Sequence, residues 1–92
     1  MVTKLNLTIC FFDNQANKID TARVDAILLV DAVNYAEGLA SRINEQNHLK
    51  GEARVTQYAI YKGNEKMTSK STKDRYGDML DHINRHSNHK NV

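Results

Sequence analysis

Residues 21–47 read TARVDAILLVDAVNYAEGLASRINEQN, and the fold turns on whether this stretch is one element or two. Read with a helical period, Leu28, Ala32, Tyr35, Ala36, Leu39 and Ile43 share a face. A helix over the whole stretch would be about 40 Å long. A compact domain of this length has a radius of gyration of only about 12 Å, so such a helix would overhang its core. Read with a period of two, Val24, Ala26, Leu28, Val30 and Ala32 alternate with Arg23, Asp25 and Asp31, as in a strand. Asn34-Tyr35-Ala36-Glu37 then has the form of a capping box, an Asn capping a helix start with Glu37 reaching back. The split is the reading taken, with a helix from Tyr35 to about Asn47 ended by Lys50-Gly51. A β-α-β-α order with a long first helix is the alternative.

Upstream, Leu5, Leu7, Ile9 and Phe11 alternate with Lys4, Asn6, Thr8 and Cys10, the pattern of a half-buried strand. The polar run from Asp13 to Lys18 reads as a turn. Downstream, Ala53 to Lys62 reads as a further strand, with Val55, Ala59 and Tyr61 on the expected core side and Arg54, Thr56, Tyr58 and Ile60 opposite. Lys62-Gly63-Asn64-Glu65 is turn-like, and Glu65 to Lys70 is a short edge strand or a loop. Ser71 to Asp74 can start a second helix, in which Tyr76, Met79, Leu80 and Ile83 form an apolar stripe. Residues 88–92 read as a frayed tail. The expectation is therefore one α+β domain over residues 1–92: a small antiparallel sheet of three to four strands, one packed helix and a C-terminal amphipathic helix. A small sheet must end in edges, and Lys4 and Thr8 would protect the first strand poorly, so a homodimer through that edge is expected.

Hydrophobic residues make up 40% of the 92-residue chain and charged residues 26%, which speaks against wholesale disorder. The longest apolar run, Ala26 to Val30, is far short of a membrane span. With no export signal at the N-terminus and a single cysteine, Cys10, a soluble protein of the reducing cytoplasm is expected, without a membrane partner. Charge is unevenly divided. Residues 1–52 carry five Lys/Arg against seven Asp/Glu, whereas residues 53–92 carry eight against four. Such an imbalance points to an anionic partner.

Catalytic and metal signatures are thin. His82 and His86 are four apart, a spacing that can chelate zinc on a helix, with Asp78 able to join. The motif of a zinc protease is missing, and with His89 these residues read as a basic helix end facing the helix dipole. Cys10 sits in an apolar strand and reads as a small buried hydrophobe rather than a nucleophile. The four glycines are scattered and form no phosphate loop. The expectation is a non-enzymatic binder without a cofactor or metal. Its most coherent constellation is basic and aromatic: Arg54, Tyr58, Lys62, Lys66, Lys70, Lys73, Arg75 and Arg85. Cations contact phosphate whatever the sequence, and a tyrosine on a sheet can stack on an unpaired base. Nucleic acid, RNA favoured, or a complex that handles nucleic acid is the expected partner; a protein-interaction module without nucleic-acid contact is the alternative.

Leu5 to Phe12, then Val30-Asp31-Ala32 with Asn34, Glu37, Arg42 and Ile43, then Arg54 to Lys62, on a proline-free and Asn-rich chain, resemble small phage-encoded accessory proteins. These include anti-CRISPR proteins and inhibitors of host toxin ribonucleases. The resemblance implies a stoichiometric inhibitor that blocks, sequesters or bridges a host nucleic-acid complex. It carries over no functional residue.

Overall fold

The structure, a computed structural model, describes residues 3–72. The second helix expected after Ser71, the Tyr76–Ile83 stripe, the tail at 88–92 and the three C-terminal histidines lie outside the described residues. Within them the fold is α+β: four antiparallel strands and one helix. In chain order these are β1 (Leu5–Phe12), β2 (Lys18–Ala26), α1 (Leu29–Lys50), β3 (Gln57–Lys62) and β4 (Glu65–Ser71). The strand order across the sheet is β2-β1-β3-β4.

The alternation in β1 does what a half-buried strand requires. Leu7, Ile9 and Phe11 are buried on the helix side. Asp13 closes the turn to β2, its Oδ1 accepting the N–H groups of Gln15 and Asn17, each at 2.9 Å. The Asn17 N–H foremost, with the Gln15 N–H, holds the Asp13 carboxyl below its ordinary value, against the opposing effect of desolvation. β1 is interior, paired on both sides. The edge expected there belongs instead to β2 and β4, because the β3 segment returns to pair with β1 across from β2.

The split of residues 21–47 holds, with different boundaries. Strand β2 ends at Ala26 and α1 starts at Leu29. The apolar run Ile27-Leu28-Leu29-Val30 thus spans the junction, and its alternation is not strand structure. Asn34 and Glu37 are inside the helix and form no capping box; the N-cap is Leu28, with no side-chain hydrogen bond. Glu37 is drawn instead to Tyr58, as described below. The helix ends where Gly51 takes φ 72°. The Gly51 and Glu52 N–H groups return to the carbonyls of His48 and Asn47 at 3.2 and 2.8 Å, a Schellman closure that glycine makes without steric cost.

Every fourth residue of α1 on one ridge is small or polar and buried: Ala32, Ala36, Ala40, Asn44. Alanines let the helix lie close to the sheet, which supplies the bulk: Leu7, Ile9, Phe11, Tyr58 and Ile60. Asn44 is the one buried polar residue among the described positions. Its Nδ2 donates to the Val55 carbonyl at 2.9 Å, and its Oδ1 accepts the Val55 N–H at 2.6 Å. Asn47 adds a bond from Nδ2 to the Ala53 carbonyl at 2.8 Å. Together they fix the irregular connection between α1 and β3. Replacing Asn44 with Ala strands the buried Val55 N–H, and each unsatisfied buried group costs roughly 1–3 kcal/mol. With the small cavity added, Asn44→Ala should lose about 2–4 kcal/mol. Urea unfolding should show this as a lower midpoint at unchanged slope.

Candidate nucleic-acid interface

Helix α1 covers one face of the sheet. Among the described residues nothing covers the other, and the strand register sets what it displays. One cross-strand row reads Arg23, Thr8, Tyr61, Lys66; the next reads Thr21, Cys10, Ala59, Ser69; the third reads Lys18, Phe12, Gln57, Ser71. Two rows therefore carry an aromatic side chain near the middle and at least one cation at the rim. The row between them carries only small side chains. Lys18, Arg23 and Lys66 are exposed, and Phe12 and Tyr61 are half-exposed. Among the paired strand residues described on this face, one carboxylate, Asp25, which pairs across from Asn6, stands against these three cations.

The middle row makes a depression. It has a volume of about 200 Å³, floored by Ala59 and walled by Phe12 and Tyr61, with Lys66 and Ser69 at its rim. Gln57 Nε2 donates to the Asp13 carbonyl at 3.2 Å, so the β1–β2 loop is held against one end. A second hollow, lined by Asn6, Leu7, Thr8, Arg23 and Asp25, lies along β1 and β2.

Tyr58 does not belong to this face. It is 1% exposed, pairs across from Phe11 and packs against that ring at a centroid distance of 6.5 Å. The expected faces of β3 are therefore inverted: Tyr58 and Ile60 are core, while Tyr61 faces outward and Ala59 floors the depression. Val55 is buried as expected. It precedes the strand, however, and the irregular backbone between it and Gln57 breaks the parity from which the core side was inferred. Burial and then the bond to Glu37 raise the Tyr58 phenol far above its ordinary pKa. Its O–H donates to Glu37 Oε1 at 2.8 Å.

Of the other expected site residues, Lys66 lies on the uncovered face. Lys70 pairs with Tyr58 and so falls on the helix side of edge strand β4. Arg54 is exposed in the connection before β3, and Lys62 is exposed at the β3–β4 hairpin. Lys73, Arg75 and Arg85 lie outside the described residues. Sequence reasoning missed Phe12, Lys18 and Arg23. The signal for Phe12 was present: two consecutive aromatics, Phe11 and Phe12, in an alternating strand must face opposite ways. Cys10 is half-buried on the uncovered face rather than in the core. No group of side chains suited to a metal ion occurs among the described residues. Nor is any helix there long and apolar enough to cross a membrane.

No protein family, curated protein or solved structure matches the chain.

Because the folded Tyr58 phenol has a higher pKa than the unfolded one, its contribution to stability is complete below the ordinary value of 10.0 and is lost as pH rises beyond it. Tyr58→Phe should cost about 1 kcal/mol at neutral pH and should flatten the alkaline fall in stability. Urea midpoints measured across pH 7 to about 11 on both proteins check this.

Proposed function

We propose that this chain is a non-enzymatic binding protein whose uncovered sheet face holds nucleic acid, RNA in preference to DNA. It would act as a stoichiometric inhibitor of the kind small phage accessory proteins exemplify, on RNA directly or within a host complex that handles RNA. One observation carries the reading: Tyr61 and Phe12 stand partly exposed on the sheet face turned away from α1, with Arg23, Lys18 and Lys66 around them. Aromatic faces accept any base by stacking, and cations at the rim of a groove take the phosphates. A sheet face bearing such residues suits unpaired bases, and cellular RNA offers these in loops and ends, which favours RNA. The excess of basic residues in 53–92 supports the same reading.

A protein partner is the second reading, supported by one observation. Ile27, Leu28 and Val30, where β2 passes into α1, are 50%, 58% and 56% exposed, an apolar group that a protein surface could cover.

Salt separates the two. Binding of a fluorescent single-stranded RNA should weaken linearly on a log–log salt plot. Lys66→Glu should lower affinity and reduce the slope by about one unit. Tyr61→Ala should cost roughly 1–3 kcal/mol of binding. Lys66→Glu should stay folded, since a change at an exposed position usually moves stability by less than about 0.5 kcal/mol, and circular dichroism checks that Tyr61→Ala, at a partly buried strand position, is folded as well. Folded Lys66→Glu and Tyr61→Ala proteins that bind RNA as well as the parent would reject this face. A complex recovered from cells that survives ribonuclease and high salt, and is lost on Ile27→Ser with Val30→Ser, would favour the protein partner.

A further inference from the structure

We infer that the depression over Ala59 is a seat for one unpaired base, so that the partner is single-stranded and is held by insertion and not by surface contact alone. This rests on the nucleic-acid reading of the sheet face. The argument is one of spacing and volume. Tyr61 and Phe12 are on neighbouring strands and two same-face rows apart, which places their Cα atoms about 14 Å from each other. Two bases stacked on these rings leave a gap between them, and that gap is where the surface is concave. A cavity of about 150 Å³ is enough for a benzene ring; the depression has about 200 Å³, room for a single-ring base.

The floor is suited to such a guest. Ala59 is 4% exposed and lies between Cys10 and Ser69 in the register, so no large side chain fills the space. At the rim the Ser69 hydroxyl and the Lys66 ammonium can donate to the carbonyl oxygens of a base, and Lys66 can instead meet the phosphate beside it. A duplex offers neither an unstacked base nor a ring face to Tyr61 and Phe12. It could reach only the cations, and those on this face are few.

The test uses octauridylate as probe, with a twelve-base-pair RNA duplex beside it. Wild-type protein should bind octauridylate at least tenfold more tightly than the duplex. Ala59→Leu, which fills the seat from its floor, should weaken octauridylate binding tenfold or more. Because Ala59→Leu could disturb the strand, a measurement on the unaltered protein stands beside it. In the NMR spectrum of the complex the Ala59 methyl should show cross-relaxation to uracil ring protons, and the ring resonances of Tyr61 and Phe12 should shift upfield. Equal binding of duplex and single strand, a folded Ala59→Leu protein that binds as wild type, or no contact from uracil to the Ala59 methyl would each overturn the seat. In those cases weakening by Tyr61→Ala and Lys66→Glu would leave the wider sheet-face reading standing. Wild-type protein that binds neither RNA would overturn both.

Discussion

The paired hydrogen bonds between the Asn44 side chain and the Val55 main chain are the constraint on which the rest of the fold depends. An amide side chain that donates to a carbonyl and accepts from the N–H of the same residue behaves like one more rung of a sheet. This rung joins a helix to the chain that is about to become β3. The Val55 carbonyl also accepts the Thr72 hydroxyl at 3.3 Å, and the Thr72 N–H returns to the Thr56 carbonyl at 3.0 Å. On the other side the Thr56 N–H reaches the Phe12 carbonyl at 2.9 Å. The end of β1, the approach to β3, the exit from β4 and the last turns of α1 are thus gathered at one place. The apolar pattern of the strands and their turns set register in general, and here a fixed polar contact adds to them. The bidentate amide admits one register only, and a one-residue slip in β3 would reverse which of its side chains are buried.

That same register explains what could and could not be read from the sequence. β1 was legible because its core side chains are large and the residues between them, up to Cys10, are small or polar. The sheet-and-helix class was legible because the 21–47 stretch is too long for one helix in so small a domain. The boundary between β2 and α1 was not, since Ile27 to Val30 is apolar throughout and fits either period. The faces of β3 were not legible either. Tyr58 and Ile60 compete with Ala59 and Tyr61, and both pairs combine an aromatic with an aliphatic residue. The decision is made outside the strand, by Asn44 on Val55 and by Glu37 on the Tyr58 hydroxyl. Neither contact is local in sequence. Asn34 and Glu37 looked like a capping pair because local hydrogen bonding is the usual fate of such residues; here the tertiary partner of Glu37 takes precedence.

The site residues fared according to their distance from that decision. Lys66 was named from the sequence and lies on the uncovered face, whereas Lys70 is placed on the helix side by the same pairing that buries Tyr58. A bulge lies between them, where Ile60 pairs with Thr68 and Tyr61 with Lys66. It turns Met67 toward the core, where it packs against the apolar cluster, and it brings Lys66 onto the face of Tyr61. Without that extra residue, a strict alternation from Ser69 would have put Met67 on the uncovered face and Lys66 opposite. The basic run of β4 is thus divided between two faces by one irregularity. No count of charges along the chain could reveal it.

The two tyrosines of β3 are divided between the two faces of one strand. Tyr58 gives its ring to Phe11 and its hydroxyl to a carboxylate on the helix, so both are committed to the core. Tyr61, three residues on, is held by the same backbone and leaves part of its ring exposed. A sheet pinned on one side by a close-lying alanine ridge is a stiff support, and its side chains stand at spacings fixed by the pleat. Residues mounted on such a support keep their separation without a ligand, and less ordering entropy then remains to be lost on binding. An exposed aromatic on a loop would lack that advantage. The division of β3 into a buried Tyr58 and a partly exposed Tyr61 therefore gives the inner face to rigidity and, under the proposed function, leaves the outer face for a ligand.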